Sequence, residues 1–209
     1  MNGIQLLQRY LDECPLIAII RGVVPDEAEA VGDAIYESGI RIIEVPLNSP
    51  EPLKSIERLA AKFGERMLVG GGTVFTPANV EDVQAAGGWL IVSPNTNRDV
   101  IAATAAAGLI SCPGYFTPTE AFAALDAGAT ALKLFPAEGA SPAVLKAQMA
   151  VIPKDVPIII VGGIKPDNMQ PWLDAGAAGL GLGSGLYEPG QSAAETLDKA
   201  RAYVARAGR

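Results

Sequence analysis

Lys133 is the clearest candidate for covalent chemistry in this 209-residue chain. It interrupts the apolar run Ala131-Leu132-Lys133-Leu134-Phe135. If the run is a strand, alternation sends Leu132 and Leu134 to one face and Lys133 to the other, toward an interior. A buried lysine loses the hydration of its ammonium form, and its pKa can fall to about 5–6, leaving an amine able to attack a ketone. The alternative is a structural lysine paired with a buried carboxylate, an arrangement made costly by desolvation. Glu44 interrupts a second run, Ile42-Ile43-Glu44-Val45, and shares a face with Ile42. A desolvated carboxylate beside an amine can accept a proton in one step and return it in the next. It could also serve only as the ion-pair partner of Lys133.

Two polar residues follow other apolar runs. Arg21 shares the face of Ile17 and Ile19, and by the same alternation Thr73 shares that of Val69 and Gly71. Together they can clamp a carboxylate, although an arginine at a strand end is as often a surface ion-pair residue. The segments Val161-Gly162-Gly163 and Gly181-Leu182-Gly183-Ser184 offer backbone N–H groups with no side chains in the way. Gly163, Gly183 and Ser184, helped by a nearby helix N-terminus, are the candidates for holding a phosphate. The alternative is that the glycines only fill a tight corner. GLGLGSG imitates a dinucleotide fingerprint poorly and lies at the wrong end of the chain for one. Cys112 and Phe135 read as packing residues, with lining of the pocket as the alternative for Phe135.

What is missing narrows the chemistry further. The chain contains no histidine, which excludes His-based acid–base catalysis, Ser-His-Asp triads and the usual His-rich metal sites. No metal site is visible in the sequence. A formal charge of −7, with no Lys/Arg cluster, argues against a nucleic-acid partner, so any phosphate contact must be local. Two cysteines cannot form a disulfide framework. The stretch Gln5 to Asp12 is short, amphipathic and carries Arg9, unlike a signal peptide. With no run of transmembrane length, no membrane association and a cytoplasmic location are expected.

The elements that must position these residues recur along the chain. Eight apolar runs occur at 16–20, 40–45, 67–72, 89–93, 109–113, 131–135, 158–163 and 178–184. Between them lie Ala-rich stretches of helical periodicity, such as Asp26 to Ser38 and Arg98 to Ala107. Glycines 39, 87, 108, 128 and 176 each precede a run, where a left-handed residue ends a helix. Prolines 25, 50, 77, 118, 142 and 166 sit where first helical turns are expected. Eight βα units predict a single (β/α)₈ TIM-barrel domain over residues 1–209, with an additional N-terminal helix before Pro15 closing its bottom. A doubly wound open sheet is the alternative, disfavoured because such sheets usually have fewer strands. Barrel chemistry gathers at the C-terminal ends of strands, where the polar interruptions fall.

The runs LIAIIRG, IEVPLNSP, VGGGTV, LIVSPN, CPGYFTPTEAFAALDAGATALKLFP, VGGI and GLGSGLY together resemble the 2-keto-3-deoxy-6-phosphogluconate/galactonate aldolases over nearly the whole chain. The resemblance implies a cofactor-free lyase that releases pyruvate and D-glyceraldehyde 3-phosphate from a phosphorylated keto-acid substrate. It makes Lys133 the Schiff-base lysine, Glu44 the proton shuttle, Arg21 and Thr73 substrate contacts, and Gly163, Gly183 and Ser184 the phosphate site. It also places Val161 at the substrate's C4 hydroxyl. Asn48 and Val161 stand where the gluconate enzymes typically carry Arg and Thr, and both departures resemble the galactonate branch. The rival expectations are the gluconate reaction, a dual-epimer enzyme, or a silent phosphate-binding trimer. The family is commonly homotrimeric, so a homotrimer is expected.

Overall fold

The computed structural model describes residues 2–207. Nine strands form one parallel sheet: β1 (Leu16–Ile19), β2 (Ile42–Pro46), β3 (Leu68–Gly72), β4 (Leu90–Val92), β5 (Ile110–Cys112), β6 (Gly114–Tyr115), β7 (Leu132–Leu134), β8 (Ile158–Val161) and β9 (Gly179–Leu182). Their order is β5-β4-β3-β2-β1-β9-β8-β7-β6. The two edges, β5 and β6, are consecutive in the chain, so the sheet curls into a nearly closed (β/α)₈ barrel.

One strand was not expected. The run at 109–113 gives β5 and ends at Pro113, which has no N–H to continue a ladder, and β6 begins just beyond it at Gly114. β5 pairs with β4, and β6 pairs with β7 through Gly114↔Lys133. The seam is bridged where Lys133 N–H donates to the Pro113 carbonyl at 2.9 Å and Ala131 N–H to that of Ser111 at 3.0 Å.

Eight helices follow strands: α2 (Pro25–Ser38), α3 (Pro52–Phe63), α4 (Pro77–Ala85), α5 (Arg98–Ala106), α6 (Pro118–Asp126), α7 (Pro142–Met149), α8 (Met169–Asp174) and α9 (Ala193–Arg206), while α1 (Gly3–Glu13) precedes the barrel. Glycines 39, 87, 108, 128 and 176 all have positive φ, as the helix-ending positions require. Prolines 25, 77, 118 and 142 open their helices as expected. Two prolines do not. Pro50 lies in a turn whose Glu51 is left-handed, at φ 40°, so Pro52 opens α3 instead. Pro166 begins another turn, and α8 starts only at Met169.

Side-chain alternation divides the core into two shells. Leu132, Leu134, Ile43 and Val45 pack outward against the helices, each fully buried side chain contributing about 1.5–3 kcal/mol of transfer free energy. Ile17, Ile19, Ile42, Leu68, Ile159 and Val161 fill the barrel interior. The N-terminal end of that interior is plugged by Leu7, Tyr10 and Leu11 from α1. A capping box orients this helix: Asn2 Oδ1 accepts from Gln5 N–H at 2.9 Å, and Gln5 Oε1 accepts from Asn2 N–H at 3.1 Å. With its bottom closed, the barrel opens toward the C-terminal strand ends. Among the described residues no helix is long and apolar enough to cross a membrane.

Candidate active site

A cavity of about 530 Å³ lies at that open end and is lined by all eight candidate residues: Arg21, Glu44, Thr73, Lys133, Val161, Gly163, Gly183 and Ser184. Its size is typical of small-ligand sites.

Lys133 is held in the middle of β7, between Gly114 and Ile159 in the ladders. Only 7% of it is exposed. Burial lowers its pKa; Glu44 opposes that shift, and Arg21 adds to it. The Phe135 ring stands 4.6 Å from Nζ and walls the amine. Glu44, 2% exposed, is pushed up to about 7 because desolvation outweighs the pull of Lys133 and Arg21. The six ion pairs among the described residues involve neither side chain. Glu44 Oε2 is buried without a hydrogen-bond partner. A carboxylate and an amine kept close but unpaired fit proton transfer better than a structural ion pair, which would be hydrogen-bonded on both sides.

Room for Glu44 comes from a residue the sequence reading passed over. A Cβ on Gly72 would stand 1.8 Å from Glu44 Oε2, so the carboxylate occupies space only a glycine leaves. The signal was the run of three glycines at 70–72. Cys112, read as packing, does face the interior in β5, next to Lys133 and Glu44 around a void of about 10 Å³. Burial pushes its thiol up to about 12, so it stays protonated.

Arg21 and Thr73 do come together, with Thr73 Oγ1 3.5 Å from both Nη1 and Nη2 of Arg21. The route by which Thr73 arrives differs from the expectation. Val69 and a Cβ on Gly71 point outward, toward Val83 and Ile56 for Gly71, while Leu68 points inward. Strict alternation would therefore carry Thr73 outward too. Its φ of +58° turns it back over the pocket, a conformation that costs about 1–3 kcal/mol and is often found at functional sites. Asn48 Oδ1 also accepts from Arg21 Nη1, a contact not foreseen from sequence.

On the opposite wall Val161 faces inward, 8% exposed, and the absent side chain of Gly181 makes space for it: a Cβ there would be 2.7 Å from Val161 Cγ2. Gly162 and Gly163 have φ of +117° and +64°. Asn168 braces their loop by donating to the Gly163 carbonyl at 2.8 Å and accepting from Lys165 N–H at 2.9 Å. A Cβ on Gly183 would meet nothing within 4 Å, leaving its backbone open to the cavity. Behind Ser184 comes a turn rather than the expected helix start, since α9 begins only at Ala193. The groups this wall presents are loop N–H groups and the Ser184 hydroxyl. Glu138 also reaches this wall, where its Oε2 would be 2.1 Å from a Cβ on Gly162. Its charge was not foreseen.

The site thus combines a buried amine whose pKa burial lowers, a carboxylate pushed up to about 7, a cation at the mouth and a glycine-rich wall. The 2-dehydro-3-deoxy-6-phosphogalactonate aldolase of Escherichia coli (strain K12) is 46% identical over 196 residues, covering 94% of this chain and 96% of that protein. The 2-dehydro-3-deoxy-phosphogluconate aldolase of Pseudoalteromonas atlantica is 30% identical, covering 79% and 77%. A solved structure described as native KDPGal superposes with a TM-score of 0.91 at 45% identity, covering 93% of this chain and 94% of that one. The sequence pattern of the KDPG and KHG aldolases matches residues 7–202. By sequence and by fold, this chain belongs to the KDPG and KHG aldolase family.

Proposed function

We propose that the chain is a class I, metal-independent aldolase that reversibly cleaves 2-dehydro-3-deoxy-6-phospho-D-galactonate to pyruvate and D-glyceraldehyde 3-phosphate. The observation that carries this reading is the unpaired couple at the barrel mouth: Lys133, its pKa lowered by burial, beside Glu44 at about 7. The Lys133 amine adds to the C2 ketone, and loss of water gives a protonated imine. Glu44 takes the C4 hydroxyl proton as the C3–C4 bond breaks; the aldehyde leaves, and the bonding pair becomes an enamine delocalised onto the imine nitrogen. Protonated Glu44 then returns its proton to C3, and hydrolysis of the imine frees pyruvate and the amine. The imine is the electron sink, so the scheme requires no metal. A pKa near neutrality suits a group that must accept and donate in one cycle.

In this reading Arg21 and Thr73 hold the substrate carboxylate, and Gly163, Gly183 and Ser184 hold the phosphate. Val161 lies at the C4 hydroxyl, where it offers only methyl groups. The greater identity to the galactonate aldolase than to the gluconate enzyme supports the galactonate configuration. The protein works as a single barrel domain in a cytoplasmic homotrimer serving galactonate degradation by the De Ley–Doudoroff route. The exposed side chains of Phe75, Phe116 and Phe122 support subunit contacts. Turnover of the two C4 epimers by the purified protein tests the assignment. A higher kcat/KM for the galactonate epimer is expected, and a strong preference for the gluconate epimer would overturn it.

A further inference from the structure

Arg21 stands exposed on the loop after β1 and joins no ion pair among the described residues. Left to itself, such a side chain would sample many rotamers. Neutral oxygens hold it instead. The Thr73 contacts, at 3.5 Å, are at the outer limit of hydrogen bonding, which leaves Asn48 Oδ1 as the main acceptor for the guanidinium. Because arginine has only donors, the Asn48 amide must turn its oxygen toward Arg21.

The backbone is fixed from the same place. Gly22 N–H, one residue after Arg21, donates to Ser49 Oγ at 2.9 Å, and Ser49 is buried. Gly22 has φ +83° and lies against Pro189, which a Cβ would approach to 2.5 Å. Neighbouring residues of the loop between β2 and α3 thus fix both the head of Arg21 and the chain that carries it.

We propose that Asn48 is a positioning residue for carboxylate recognition. It holds the Arg21 guanidinium across the pocket mouth in the orientation that receives the carboxylate of a 2-keto acid, and as a neutral acceptor it leaves the cation's charge uncancelled. The inference rests on the reading of the pocket given under Proposed function. An aspartate at this position would hold Arg21 equally well but would compete with the substrate for its charge.

The test is borohydride trapping on the purified protein with two ketones: pyruvate, and acetone, which has no carboxylate. In Asn48→Ala the pyruvate concentration for half-maximal trapping rises about tenfold, the scale of one lost hydrogen bond to a charged group. The limiting trapping rate holds, and acetone trapping changes less than about twofold, because acetone makes no use of Arg21. Asn48→Asp weakens pyruvate further than Asn48→Ala does. Equal losses for pyruvate and acetone would show that Asn48 merely supports the fold around Lys133. An aspartate variant that binds pyruvate as well as the wild type would show that the charge of Arg21 is not used. Either result overturns the proposal. A wild type that pyruvate does not label at all would instead defeat the imine assignment itself, and this inference with it.

Discussion

Replacing Glu44 with glutamine keeps the shape of the side chain and removes a charge from the barrel interior. Burial holds the Glu44 pKa at about 7, above its ordinary 4.5. Between those values the folded protein binds more protons than the unfolded chain, so stability falls as pH rises through the window and stays low above it. At about 1.4 kcal/mol per pH unit, this difference destabilises the wild type by at most about 3 kcal/mol at pH 8. Part of that gain is lost in the variant, because Glu44 also raises the pKa of Lys133, and without it the buried lysine is harder to charge. The net expectation is a Glu44→Gln protein about 1–3 kcal/mol more stable than wild type at pH 8 and little different at pH 4.5. Turnover should nevertheless fall about 10²–10⁴-fold, the range for losing a general acid–base. Urea unfolding at several pH values and one protein concentration measures the difference. If the variant is less stable at pH 8, or if the difference does not grow with pH, then Glu44 is not the desolvated carboxylate described. Full activity would return it to a structural role.

The remaining expectations concern neighbouring parts of the pocket. Gly72→Ala puts a methyl group 1.8 Å from Glu44 Oε2, so a folded variant, checked by circular dichroism, should lose about 10²-fold or more in kcat through displacement of the carboxylate; an unimpaired enzyme would contradict the placement of Glu44. Val161→Thr supplies a hydroxyl at the wall proposed for C4 and should shift the ratio of kcat/KM for the two epimers by about 1–3 kcal/mol toward the gluconate configuration. An unchanged ratio would mean that C4 is read elsewhere. A substrate lacking phosphate should lose about 10²-fold or more in kcat/KM, and Ser184→Asp should cause a comparable loss with the phosphorylated substrate, since anion contacts at Gly163, Gly183 and Ser184 are lost or opposed. Equal efficiency with and without phosphate rules out that wall as the anion site.

The sequence was most legible where short-range rules act alone. Period-2 alternation is enough to turn Lys133, Glu44 and Val161 inward, because each lies within a regular strand. It fails one residue past the end of β3, where Thr73 reaches the pocket only through a positive φ that alternation cannot anticipate. Pro113 separates β5 from the unexpected β6 at the barrel seam, and that placement depends on which strands close the sheet. Pro50 and Pro166 look like helix starts locally, but the turns around Glu51 and Asn168 delay the helices. Gly72 was passed over, and Asn48 was marked only as a departure from the gluconate enzymes, for another reason. Their roles appear only when separate βα units meet, Gly72 by making room for Glu44 and Asn48 by gripping Arg21.

The central claim is that the Lys133 amine forms an imine with a 2-keto acid, and reductive trapping tests it most directly. The protein is incubated with pyruvate, reduced with borohydride, digested and mapped by mass spectrometry. The account predicts one reduced pyruvyl adduct per chain, on Lys133, and neither an adduct nor aldol cleavage in Lys133→Ala. An adduct on another lysine, no adduct at saturating pyruvate, or cleavage that survives in Lys133→Ala would contradict it.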